Sequence, residues 1–155
     1  MAKRKSAAWK TIQQEAERAR LGAEHARAVE AYTQALAQAG VPWEAVQAMQ
    51  LGLAESRQRL GDAAGAQAVW ADLAAQAAGR GDAAGQARAQ CCLALHLWER
   101  GDLARGLDCS RQAAEAAAVC GSPALQVRAR SALGLLLAEQ GELEAAQAQV
   151  QAAEA

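Results

Sequence analysis

Between short polar breaks, the apolar positions of this chain recur three and four residues apart. Leu93 and Leu97 stand with Ala89 and Ala94, and Leu133, Leu136 and Leu137 stand with Ala129. Such spacing lays one apolar stripe along an α-helix, whereas a half-buried strand would alternate apolar and polar residues. The breaks are themselves periodic. Gly61-Asp62, Gly101-Asp102 and Gly141-Glu142 recur every forty residues, and Val41-Pro42, Gly81-Asp82 and Gly121-Ser122-Pro123 fall halfway between. Each forty-residue unit therefore divides into two segments of about twenty residues, each a helix.

The residues at the breaks explain why helices stop there. Glycine tolerates the left-handed conformation that ends a helix, and the Asp or Ser that follows can cap the next one by accepting a backbone N–H. Pro42 and Pro123 fit a first helical turn, where no N–H is needed. Helices are predicted near 6–20, 23–39, 42–59, 62–78, 82–99, 102–119, 123–139 and 142–154. The Leu21-Gly22 break has no capping Asp, which leaves open one longer helix in place of the first two.

Composition sharpens this picture. The chain has 155 residues, of which 45 are alanine, and it has no phenylalanine. Strands would lack the β-branched and aromatic residues they pack with. An alanine core stays dense only if helix backbones approach closely, which favours antiparallel helix pairs. No Pro-, Ser- or charge-rich linker separates the units, so 6–39, 42–78, 82–119 and 123–154 are expected to form a single domain over 1–155. Each unit alone is too small to fold.

Charge and candidate chemistry exclude several functions. The net charge of −1 and pI near 6.1 give no whole-chain reason to expect nucleic acid or an anionic membrane as partner. The basic cluster Lys3-Arg4-Lys5 reads as a solvated terminus. No apolar run reaches the roughly 18 residues of a membrane span, and the start lacks an apolar signal stretch, so a cytoplasmic location is expected. Cys91, Cys92, Cys109 and Cys120 have no C-x-x-C or C-x-x-H spacing and read as reduced, small apolar residues. His25 and His96 stand alone in separate helices, and no hydrolase, metalloprotease or nucleotide-binding motif occurs. A non-enzymatic protein without metal or cofactor is expected.

The repeats resemble the tetratricopeptide repeat (TPR) family, whose helix pairs follow W-x2-L-G-x2-Y and then A-x3-F-x2-A. Leu133-Gly134 matches the L-G step, and Leu93-Ala94 and Leu53-Ala54 approximate it. Leu137 and Leu97 stand where the family prefers Tyr, and Arg57 departs there. Ala28-x3-Tyr32-x2-Ala35 fits the second helix, Ala66-x3-Trp70 fits, and Ala146-x3-Val150 fits loosely. Gly106-x3-Ser110 departs most. The units exceed the family's usual length and are similar to long-helix versions found in bacterial regulators and scaffold proteins. The resemblance implies an all-α, right-handed α-solenoid of about eight helices in four antiparallel pairs. A plain antiparallel bundle is the rival fold.

In the family the first helix of each pair lines an inner groove, here 42–59, 82–99 and 123–139, with 6–20 at the end. Counting round these helices from Leu53, Leu93 and Leu133 places Leu51, Glu55 and Gln58, then Arg88, Cys91, Leu95 and Trp98, then Arg128, Ser131 and Leu135 on or near that side. Arg88 and Arg128, forty residues apart, would form a ladder for carboxylates, so the expected partner is a protein presenting an acidic peptide or amphipathic helix. Solvated arginines are the alternative. Trp98 is either a binding anchor or core between repeats, and Cys91 either a groove thiol or small packing. Trp70 and Tyr32 sit in aromatic slots of the motif and read as packing. The chain has no asparagine, which argues against the family's clamp for C-terminal carboxylates. Against a groove-binding scaffold stands self-association through the solenoid ends, because 150–155 still reads as an internal repeat.

Overall fold

A computed structural model describes residues 2–154, with side chains described from Ala8 to Ala153. Among the described residues there are eight α-helices and no strand: α1 (Ala2–Leu21), α2 (His25–Leu36), α3 (Trp43–Arg59), α4 (Ala63–Gly79), α5 (Ala83–Glu99), α6 (Leu103–Cys120), α7 (Pro123–Gln140) and α8 (Leu143–Glu154). None is long and apolar enough to cross a membrane. The chain divides into two compact units, 1–69 and 70–155, with the boundary falling inside the sequence of α4.

The joints behave as their residues require. Gly101 has φ 83°, and the Asp102 N–H beyond it donates back to the Leu97 carbonyl at 2.9 Å while its Oδ1 accepts from the Arg105 N–H at 3.2 Å. One residue thus closes the old helix and caps the new one. Asp62 and Asp82 do the same, each accepting at 2.9 Å from Gly65 and Gly85. Ser122 makes no side-chain cap, and Pro123 opens α7 at its first turn. Pro42 differs from expectation: it is the N-cap of α3, in extended conformation, one residue before the helix.

The first joint resolves the open question about α1 and α2. They are separate helices, and the left-handed position is Ala23, φ 59°, not Gly22. The Glu24 N–H reaches back to the Ala19 carbonyl at 2.8 Å, which closes α1 as a glycine-ended helix would close, but with a Cβ in the strained region. α2 also stops three residues earlier than predicted, because Gln38 folds back. Its backbone N–H donates to the Ala35 carbonyl at 3.1 Å and its side chain to the Gln34 carbonyl at 3.2 Å.

In the first unit Ala16, Ala19, Ala28, Ala31, Ala35, Met49 and Leu53 surround the buried Tyr32. Its ring occupies the space where a Cβ on Gly52 would stand, so glycine there makes room for the aromatic slot. In the second unit two apolar clusters join the helices. Ala87, Cys91, Ala113, Leu125 and Ala129 form one, and Ala94, Leu107, Leu133, Leu136, Leu137 and Ala146 form the other. Trp70 is buried there, with its ring 5.1 Å from that of buried His96.

The departure at Gly106 has a structural reason. A Cβ at Gly106 would lie 3.0 Å from the Ala94 carbonyl oxygen and 3.1 Å from Leu136 Cδ2, so α6 approaches α5 so closely that an alanine would push its neighbours aside by a few tenths of an ångström. Ser110, one turn on, is buried and donates to the Leu107 carbonyl at 2.9 Å, which satisfies its hydroxyl.

Two substitutions test these readings by chemical denaturation. Ala23→Gly should raise stability by about 0.5–1 kcal/mol, since relief of the left-handed alanine outweighs the entropy of glycine. Gly106→Ala should lower it by about 1–3 kcal/mol despite alanine's better helix propensity, because the added methyl overpacks the α5–α6 contact.

Candidate partner-binding face

Helix α5 is buried on most of its circumference and keeps one open stripe. Arg88 and Glu99 are exposed and Cys92 and Leu95 half-buried, at intervals of four, three and four residues that align them along one side. On α7, which packs beside α5, Arg128, Ser131, Leu135 and Glu139 are exposed. Arg128 links the two stripes: its Nη2 donates to Cys92 Sγ at 3.4 Å. The guanidinium therefore crosses from α7 onto α5 and sits one helical turn from Arg88.

The expected pairing of Arg88 and Arg128 thus has a counterpart in position, two cations on one surface beside Leu95 and Leu135. Among the described residues neither arginine pairs with a carboxylate. Two ion pairs of this unit involve α6, Arg105 with the capping Asp102 at 3.2 Å and Arg111 with Asp108 at 3.5 Å. Leu95 and Trp98 lean partly on the cluster of Leu107, Leu133 and Leu136. Trp98 is half-buried, so its ring is part of the packing between α5 and its neighbours as well as part of the rim.

Cys91 does not face the open side. It is buried against Ala87, Ala113, Leu125 and Ala129, and its place on the stripe is taken by Cys92. Counting from Leu93 misplaced it by one residue, a rotation of about 100°. Burial pushes the Cys91 thiol from its ordinary 9.0 up to about 11, with the nearby Arg128 charge pulling only partly the other way. Ser131 occupies the same repeat position and is exposed, because α7 covers that side of α5.

Leu51, Glu55 and Gln58 lie on α3 in the first unit, all half-buried. Glu55 accepts from Arg20 Nη1 at 3.0 Å, while Arg20 Nη2 donates to Glu17 at 2.9 Å and the Tyr32 hydroxyl donates to the same carboxylate at 2.5 Å. The hydrogen bond to Glu17 is the main reason that Arg20 is held charged above its ordinary range. Glu55 is therefore an ion-paired member of an α1–α3 network. The sequence pattern did not reveal this network, since Arg20 and Glu55 are 35 residues apart and share no motif.

Paired helices with small residues at their close contacts, and an open stripe on α5 and α7, form a TPR-like repeat fold. No family model and no curated protein matches the sequence. Solved structures do. BtubC (BKLC) from P. vanneervenii superposes with a TM-score of 0.79 at 18% identity over 97% of this chain, which spans 62% of that protein. The nearly identical TPR-like repeats of a candidate kinesin light chain from Podosopora anserina superpose with a TM-score of 0.72, again at 18% identity, covering 93% of this chain and 72% of that one. At such identities the likeness shows the fold alone.

Thiol chemistry tests the placement of the two adjacent cysteines. In the folded protein Cys92 should react with a maleimide at least about tenfold faster than Cys91, measured by peptide mass spectrometry after brief labelling, since only an accessible thiol reacts. Cys91 also makes stability pH-dependent. Its thiol loses its proton near 9.0 when unfolded and near 11 when folded, so the unfolded state binds fewer protons between these values and stability falls as pH rises through that window. Cys91→Ala should flatten that fall in denaturation curves recorded from pH 8 to pH 11.

Proposed function

We propose that this protein is a non-enzymatic scaffold of the cytoplasm that holds another protein against the shared face of α5 and α7. The supporting observation is the pair of carboxylate-free arginines, Arg88 and Arg128, set beside Leu95, Leu135 and the rim of Trp98. An acidic amphipathic helix or an extended acidic segment suits such a surface: apolar side chains rest on the leucines, and carboxylates accept from guanidinium groups, of which that of Arg128 otherwise donates only to the weak acceptor Cys92 Sγ. Arginine's planar fork favours carboxylate recognition over a diffuse positive charge. Leu51, Glu55 and Gln58 form a separate contact patch in the first unit, in which Glu55 acts through its bond to Arg20.

The remaining reactive groups fit a binding protein better than a catalyst. His96 is buried beside Trp70, and the Cys91 thiol is held protonated by burial.

Affinity capture from a cell lysate tests this reading. A partner retained by the wild-type chain should fall at least about tenfold with Arg88→Glu/Arg128→Glu, since reversing two interfacial charges adds repulsion to the lost hydrogen bonds. The variant must keep the wild-type helical circular dichroism. Equal retention by both proteins would remove the α5–α7 face from the account.

A further inference from the structure

The charged and apolar groups of the α5–α7 face follow one order along it, and the order is the same on both helices. Helix α5 carries Arg88, then Leu95, then Glu99, and forty residues on α7 carries Arg128, Leu135 and Glu139. The four charged residues and Leu135 are exposed, and Leu95 is half-buried. On each helix the arginine and the glutamate are eleven residues apart, about three turns and about 16 Å, so both project from nearly the same side. Cys91 shares one apolar cluster with Ala129, and Ala94 shares the other with Leu133, so the two helices run parallel with their arginine ends together and their glutamate ends together. The face therefore has a cationic end, an apolar middle and an anionic end. Arg100 interrupts the anionic end only on α5, since its counterpart on α7 is the uncharged Gln140. In the first unit the same repeat positions hold Ala48, Glu55 and Arg59, so this order is a property of the second unit.

We propose that the segment bound there is a helix that is itself charge-ordered, acidic at the end over Arg88 and Arg128, basic at the end over Glu99 and Glu139, and apolar between. The inference rests on the reading of this face as a partner-binding surface and narrows the partner from an acidic segment to a dipolar one. Charge complementarity selects this occupant. A uniformly acidic helix long enough to cover both leucines brings carboxylates to Glu99 and Glu139, and like charges set opposite one another cost affinity. A helix laid along α5 and α7 has their own rise per residue. An acidic residue, apolar residues four and seven positions later and a basic residue eleven positions later therefore match the spacing of Arg88, Cys92, Leu95 and Glu99. An extended segment spans the same length in about five residues and turns alternate side chains away, which leaves one apolar contact between the charged ends.

Fluorescence anisotropy of the 155-residue chain with two labelled, alanine-rich helical peptides tests the proposal, at low ionic strength where exposed charges are little screened. Both peptides carry two glutamates near one end and leucines in the middle. The other end carries two lysines in the first peptide and two glutamates in the second. The lysine-ended peptide should bind at least about tenfold more tightly, and Glu99→Lys/Glu139→Lys should reverse that preference. Arg88→Glu/Arg128→Glu should weaken both peptides, because their glutamate end is common. All four positions are on the surface, and each variant must keep the wild-type helical circular dichroism. If the all-acidic peptide binds as tightly as the lysine-ended one, or if the preference survives Glu99→Lys/Glu139→Lys, the dipolar partner is overturned while the partner face stands. If neither peptide binds at up to about 1 mM, a limit near −4 kcal/mol, or if both bind Arg88→Glu/Arg128→Glu as they bind the wild type, the partner face fails together with it.

Discussion

Close approach of helix backbones at very small residues is the constraint on which this structure depends. Alanine offers one methyl group for burial, so a core made mostly of alanine holds together only where neighbouring helices nearly touch. Gly106 against the Ala94 carbonyl and Gly134 against the Ala146 carbonyl are such places: a Cβ would lie 3.0 Å and 3.3 Å from the facing oxygens. The larger side chains then fill what remains. Leu133, Leu136 and Leu137 pack between α5, α6 and α8, and Tyr32 takes the space that Gly52 leaves.

That packing also decides what is left for function. With α5 covered by α6 on one side and α7 on another, the stripe of Arg88, Cys92, Leu95 and Glu99 stays accessible along it. The neighbouring stripe on α7 brings Arg128 to Cys92. Two cations and two leucines are thus held on packed helices, and the partner contact proposed there would draw on groups already in place. In the first unit the equivalent position on α3 is already engaged by Arg20 and Glu17, so the two units present chemically different surfaces despite a shared repeat.

Much of the fold was legible because its signals are local. Glycine followed by Asp marks the end of one helix and the cap of the next, and these pairs recur every forty residues. The misreadings fall where local signals are weak or where a non-local contact decides. Ala23 takes a conformation that glycine normally takes, beside a glycine that does not, and Gln38 ends α2 with a side-chain bond that no motif announces. Cys91 and Cys92 are adjacent, and an error of one residue in counting round the helix, about 100°, exchanged the buried thiol for the open one. Gly106 looked like a defect in the repeat pattern, and only the position of the Ala94 carbonyl shows it to be a close contact.

Site-specific photo-crosslinking measures the central claim, that a protein partner rests on the α5–α7 face, most directly. A photoreactive side chain placed at Leu95 or Leu135 should capture a partner protein in cells. The same group at Glu115, exposed on α6, should not. Capture from Glu115 with none from Leu95 or Leu135 would contradict the account and place the binding surface on the opposite helices.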